Sequence, residues 1–266
     1  MRSRLALIAL AAALAGCGGD DRDDRREAVS AYIRDANTAL QRSAAAFGQA
    51  DRALRDFSLE GAKARESERD LESVLDTLGS VRAALAELRP PVEARKLHAD
   101  TLELVDVQLE LAGDLRELAR HLPAAARVLR DAEAARAKLQ RALETSGTAA
   151  EQAAASRAYA AGVGRSLAEL RALEPPEILA GWHAGQLNVL RISQTLASDL
   201  ADALAAENET EIRRVLSGFE NVSKQATSAA RAQALAVRAF NRRVEAQRAL
   251  VTRIASEQRR LDRTVR

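Results

Sequence analysis

Two of the three histidines in this 266-residue chain occupy equivalent places in a repeated pattern. His98 and His183 each lie seven residues after a Pro-Pro pair, and 85 positions separate them. Neutral imidazole is a common metal ligand, and protonated imidazole attracts anions. One hypothesis is therefore that His98 and His183 converge, with Trp182 beside them, to bind a metal or an anionic ligand.

The alternative interpretation gives these histidines a structural role. Each lies about two turns into a predicted helix beside an apolar position, where it can hydrogen-bond a neighbouring helix or the Pro-Pro corner. Two ligands are insufficient for a metal site, and the other duplicated polar residues, Asp114 and Asp199, lie sixteen positions further along. That separation is about 24 Å on a straight helix, so a site would need Asp100, Glu103 or residues from other helices.

Motifs for catalysis and for bound cofactors are absent from the sequence. It contains no Glu-x-x-His pair for two irons, no Cys-x-x-Cys-His for haem, and no methionine except Met1. No glycine-rich phosphate loop or nucleophile elbow occurs. The many carboxylates are typical of solvated helix faces held by i,i+4 pairs. We therefore predict that the protein is not an enzyme and has no cofactor or resident metal.

The N-terminus carries the most specific motif of the chain. Two arginines precede an uncharged run, residues 5–15, which is typical of an export signal and too short to span a membrane. Leu14-Ala15-Gly16-Cys17 follows and resembles the lipobox of bacterial lipoproteins. The resemblance implies that residues 1–16 are a cleaved signal peptide and that Cys17 becomes the lipidated N-terminus of an extracytoplasmic, membrane-anchored protein.

Cysteine usage and charge agree with this interpretation. Cys17 is the only cysteine, so it has no partner for an internal disulfide, and acylation removes a lone thiol from an oxidising compartment. Without Arg2 and Arg4 of the signal, the 40 basic residues fall to 38, equal to the 38 acidic ones. Because both signs mix along every segment, we predict no basic surface and no nucleic-acid partner.

The elements that must position these residues are predicted to be helices. Aromatic residues make up only 3%, and five prolines and a Ser-Gly linker near residue 146 divide long runs of heptad-like periodicity. Pro123 is taken as one of the breaks. The predicted helices cover residues 27–57, 64–88, 91–120, 124–143, 149–173, 176–206 and 211–260.

An internal duplication organises these helices. Residues 85–115 match residues 170–200 without gaps, and eleven of the thirty-one positions are identical. The sequence predicts an all-α fold, an elongated antiparallel bundle of about seven helices, with modules at residues 27–145 and 146–266. Residues 17–26 are predicted to be the lipidated cysteine and a flexible tether.

The favoured functional hypothesis is a membrane-anchored envelope lipoprotein that acts by binding, as a scaffold or accessory subunit. The long last helix motivates it, because an apolar seam that outruns its module needs an envelope protein partner or a second copy of the chain. The alternative is a small-ligand or metal-binding lipoprotein with a site between the duplicated halves, near His98, Trp182 and His183.

Overall fold

The computed structural model describes residues 21–55 and 61–265, and over these ranges the protein consists of helices without strands. The all-α prediction is confirmed. The described ranges contain six α-helices and two short 3-10 turns: α1 Asp21–Arg55, α2 Gly61–Glu87, a first 3-10 turn Val92–Ala94, α3 Arg95–Thr145, α4 Ala149–Ala172, a second 3-10 turn Glu177–Leu179, α5 Ala180–Ala205 and α6 Glu209–Val265.

The prediction of a helix break at Pro123 is wrong, because α3 continues through this proline for 51 residues. Proline has no N–H to donate to the carbonyl of Ala119 and costs about 3 kcal/mol inside a helix. Burial on both sides of the proline offsets that cost, since Ala119, Ala125 and Val128 are at most 4% exposed. Tertiary packing therefore overrides a local signal, and two predicted helices are one.

The helices form two compact units that are discontinuous in sequence. Unit 1 contains the residues up to Arg52, Asp70–Gly113 and the residues from Arg243 onward. Unit 2 contains Ala53–Arg69 and Asp114–Arg242. Residues 145 and 146, where the sequence predicts a module boundary, both lie in unit 2. Helices α3 and α6 each contribute residues to both units.

The 85-residue offset recurs in the helix boundaries. The first and second 3-10 turns are 85 residues apart, as are the ends of α2 and α4 and the starts of α3 and α5. Pro91 and Pro176 adopt the same extended conformation before them. Five positions of α2 and the positions 85 residues later in α4 are buried in both helices: Leu71 and Ser156, Val74 and Tyr159, Leu78 and Val163, Val81 and Ser166, and Leu85 and Leu170.

Each unit has its own apolar core. In unit 1, residues of α1, the start of α3 and the end of α6 pack together, among them Val29, Leu97 and Leu261. In unit 2, α3, α4 and α5 meet around Val163 and Leu170. Each fully buried leucine contributes roughly 1.5–3 kcal/mol relative to an exposed one, so these cores fix the corners that hold the histidines.

The N-terminal predictions fall largely outside the described residues, including the signal, Cys17 and the first part of the tether. Helix α1 begins at Asp21, however, so residues 21–26 of the predicted flexible tether are helical instead. Within these residues Asp23 forms an ion pair with Arg26, one turn later. None of the helices in the described ranges is long and apolar enough to cross a membrane.

Candidate histidine site

His98 in unit 1 has a phenol as its partner. The hydroxyl of Tyr32 in α1 lies 3.1 Å from His98 Nδ1, and the two rings meet edge to face. Burial raises the pKa of Tyr32 to about 12, so the phenol keeps its proton at neutral pH. It can therefore donate to a His98 ring that carries its own proton on Nε2.

The carboxylates nearest His98 in sequence form ion pairs with cations. Asp100, which is 7% exposed, forms ion pairs with Arg253 of α6 at 2.9 Å and with Lys96 of its own helix at 3.2 Å. Glu103 pairs with the same Arg253. These contacts attach α6 to α3 within unit 1, so the carboxylates that would complete a metal site at His98 have a structural role.

The equivalent corner of unit 2 has a different partner. His183 of α5 is 4% exposed and faces His121 of α3, which is 5% exposed, with 5.4 Å between the ring centroids. Trp182 packs edge to face against His121 at 6.4 Å. Unit 2 thus places two buried imidazoles beside the half-buried Trp182, the only tryptophan of the chain.

Hydrogen bonding leaves one nitrogen of each buried imidazole unused. The His121 ring hydrogen-bonds the backbone of Glu174 in the Pro-Pro corner. Among the described residues, Nε2 of His121 is buried without a hydrogen-bond partner. Nδ1 of His183 is also buried without a partner. Leaving a buried polar atom unpaired costs about 1–3 kcal/mol, so two such atoms in adjacent rings need an explanation.

The electrostatics of the pair favour neutral rings. Burial lowers the pKa of His183. Burial is also the main cause that lowers the pKa of His121, and the His183 charge and Arg120 lower it further, against the hydrogen bond to Glu174, which raises it. Both imidazoles are therefore uncharged at neutral pH and keep a lone pair available to a ligand.

No family model, curated protein or solved structure matches this chain. The assignment of a site therefore depends on the geometry of its residues.

The structure brings together two of the three residues singled out in the sequence. Trp182 and His183 lie at one site, whereas His98 belongs to unit 1 and pairs with Tyr32. Sequence reasoning missed His121 because the predicted break at Pro123 placed it between helices. The available signal for His121 was that histidine is rare. The chain contains three, and His121 was the only one without a predicted role.

The duplicated aspartates do not join the histidines. Asp199 lies 3.8 Å from Arg214 of α6 in unit 2, and Asp114 has a polar partner of its own. Among the described residues, no group of three or more histidine, cysteine or carboxylate side chains is placed to hold a metal ion.

Unit 2 also contains a cavity of about 860 Å³ between α3, α4, α5 and α6. Apolar side chains form much of its wall, including Leu190, Phe219 and the exposed Leu216, and Arg136 lies at its polar part. Its lining includes none of the histidines or Trp182. Cavities of roughly 300–1,000 Å³ accommodate small ligands or the anchoring side chain of a protein partner.

Proposed function

We propose that this protein is a lipoprotein of the cell envelope, anchored through a lipid on Cys17, whose helical body binds an acidic surface of another envelope protein. The anchor is supported by the lipobox-like residues 14–17 and the apolar run before them. The binding role is supported by one observation above the others, namely the exposed central segment of α6. We define the α6 surface as residues 216–242, which lie in unit 2.

The α6 surface is apolar and exposed at several points. Among those of its residues whose side chains are described, only Ala236 is buried. Leu235 and Val237 are 61% and 54% exposed, and Leu216 is 45% exposed beside the cavity of unit 2. Leu235 lies four residues after Arg231 and seven before Arg242, so this exposed apolar side chain shares a helix face with exposed arginines.

The charge of the same segment indicates the chemistry of the partner. Between residues 221 and 244 the sequence contains five basic residues and no acidic one, an exception to the mixed charge predicted for every segment. Arg231, Arg238 and Arg242 are all exposed and repeat at seven and four residues, which places them on one face of the helix. Such a face attracts an acidic partner and disfavours pairing with the same segment of a second copy.

The anchor is tested with Cys17→Ser in the full chain. We expect the wild type to incorporate labelled palmitate and to sediment with membranes, and the variant to lose the label and either remain unprocessed or become soluble. Palmitate incorporation and membrane retention that persist in the variant would refute the anchor and leave the binding role standing.

The binding role is tested by placing a photo-crosslinker at residue 235 in membranes of the producing bacterium. We expect a crosslink to one envelope protein and, with that partner purified, binding that weakens with salt and falls at least tenfold in Arg238→Glu/Arg242→Glu. A matched control, Arg157→Glu/Arg171→Glu on exposed positions of α4, changes the net charge equally and should bind normally. A crosslink to a second copy of the chain, binding to anionic lipid vesicles alone, or equal loss in both variants would contradict the proposal.

A second candidate function is binding of a metal or small ligand at His121, Trp182 and His183. It is supported by the two buried imidazole nitrogens without partners. A ligand that binds only the folded state raises the melting temperature by mass action, so a screen of metal ions and small anions by thermal unfolding tests it. No stabilisation by any member of the screen would remove this candidate.

A further inference from the structure

We propose that His121 Nε2 and His183 Nδ1 form a two-ligand site for a soft monovalent cation with a filled d shell, of which copper(I) is the biological example. The inference rests on the second function proposed above and names the ion. It concerns unit 2 alone, because both histidines belong to that unit.

The geometry of the two rings fits one shared ion. With metal–nitrogen distances of about 2 Å, two imidazoles bound in line through one ion have centroids about 6 Å apart. The centroids of His121 and His183 are 5.4 Å apart and the rings are tilted by 56°. The change in centroid separation that a shared ion requires is therefore less than about 1 Å.

The number of ligands selects the class of ion. Zinc requires four ligands and copper(II) prefers a square of nitrogen and oxygen donors, whereas no third ligating side chain accompanies the pair among the described residues. Monovalent d¹⁰ cations accept two nitrogen donors in a linear arrangement, so the expectation that two ligands are insufficient for a metal site applies to zinc and copper(II) but not to them. A single positive charge also costs less to bury than a double one, and no carboxylate in the described part of the chain joins the two histidines to neutralise a divalent ion.

The surroundings of the pair hold one ring in the state that binding requires. The backbone of Glu174 interacts with the His121 ring, as the second hydrogen-bond partner of a metal-binding histidine commonly does, and Nε2 of this ring has no partner among the described residues. The lowered pKa values keep both rings neutral. Trp182 adds an aromatic surface beside His121 that attracts a cation.

The test uses silver(I) as a redox-inert probe and the full chain carrying Cys17→Ser, which removes the only thiol. Trp182 is the only tryptophan, so its emission reports the site directly. We expect silver(I) to quench this emission with saturation at one equivalent and zinc(II) to leave it unchanged. In His121→Gln and His183→Gln the half-saturating concentration should rise at least tenfold.

His98→Gln is the matched control, because His98 occupies the equivalent corner and already has Tyr32 as its partner. We expect it to bind silver(I) like the parent. Circular dichroism and thermal unfolding establish that each variant folds. A rise in the melting temperature of the parent protein on addition of silver(I) measures binding without any substitution of the histidines. Absence of that rise, quenching retained in His121→Gln/His183→Gln, or binding lost in His98→Gln would overturn the inference.

The result with zinc(II) distinguishes a wrong choice of ion from the absence of metal binding at this site. If zinc(II) binds through His121 and His183 while silver(I) does not, the choice of ion is wrong and metal binding stands. If neither ion binds, and no anion stabilises the fold, both are wrong.

Discussion

The two Pro-Pro corners present the same scaffold with different chemistry. In unit 1, the histidine after the corner is half-buried and pairs with Tyr32, and Arg260 of α6 donates to the carbonyl of Glu93 at 2.8 Å. In unit 2, the equivalent histidine is 4% exposed and faces His121, which itself hydrogen-bonds the corner. Nδ1 of His98 thus has a partner, whereas one ring nitrogen of His121 and one of His183 are buried without a hydrogen-bond partner among the described residues.

This difference shows how a repeated framework diverges. The core positions around the corners, such as Leu85 and Leu170, are buried and identical, because they hold the helices together. The partner of each histidine comes from a different helix, α1 in unit 1 and α3 in unit 2. The core packing of a corner and the partner of its histidine can therefore change independently.

The largest expected effect tests whether the two frameworks are equivalent. Leu85→Ala and Leu170→Ala each remove a fully buried side chain, so each should lower the free energy of unfolding by about 2–5 kcal/mol. Urea unfolding followed by circular dichroism measures both. A cost below about 1 kcal/mol at one of the two positions would show that the corners are not packed alike.

The next effect concerns Arg260, which holds the corner of unit 1. Arg260 also bonds Glu257, which is 6% exposed, and Arg260→Met would leave that carboxylate with only Lys96 at 3.8 Å. Removing one partner of a buried polar group costs about 1–3 kcal/mol, measured by urea unfolding at neutral pH. Arg263→Met, one turn further on, is the control and should be nearly neutral.

Glu257 also gives this contact a pH dependence. The hydrogen bond from Arg260 lowers the pKa of Glu257 in the folded state, with a further contribution from Lys96. The stabilisation is therefore complete above the ordinary pKa of 4.5 and is lost as the pH falls through the folded value. In Arg260→Met the acid limb of the stability profile should become flatter. An unchanged acid limb would show that the ion pair contributes nothing.

A smaller effect is expected for Tyr32→Phe, which removes the partner of His98 and keeps the ring. The loss of one hydrogen bond should cost about 0.5–1.5 kcal/mol. A double-mutant cycle with His98→Gln, measured by thermal unfolding, isolates the coupling of the pair. Additive effects of the two substitutions would mean that the pair in unit 1 is not bonded as described.

The smallest effect is the response of unit 2 to mild acid. Because the folded pKa values of His121 and His183 lie below the unfolded value of 6.5, the unfolded chain binds more protons, and stability falls as the pH drops below about 6.5. His121→Gln/His183→Gln should flatten this slope. If His98→Gln flattens it as much, the acid sensitivity is not specific to unit 2.

Much of the fold could be predicted from the sequence, because helix periodicity and proline pairs are local signals. The corners at residues 90–91 and 175–176, their offset and the long last helix were all predicted. The continuity of α3 through Pro123 was not, since it depends on burial of Ala119 and Val128 by distant residues. The helical conformation of residues 21–26 was missed because a run of charges resembles a linker in composition.

The candidate site was predicted only in part for the same reason. Trp182 and His183 were found through the repeat, whereas His121 lies outside the matched segment and two residues before the proline taken as a break. Tyr32, the partner of His98, comes from α1, and Arg253, which pairs with Asp100 and Glu103, comes from α6, both far away in sequence. Contacts of this kind arise from packing and leave no local pattern.

Nitrogen-15 NMR of the histidine side chains tests the central claim most directly, since single substitutions assign all three rings. The account predicts neutral rings for His121 and His183 at neutral pH, with the His121 proton on Nδ1. On addition of one equivalent of silver(I), His121 Nε2 and His183 Nδ1 should shift while the nitrogens of His98 stay unchanged. Equal shifts at His98, or no shift at the pair, would contradict the account.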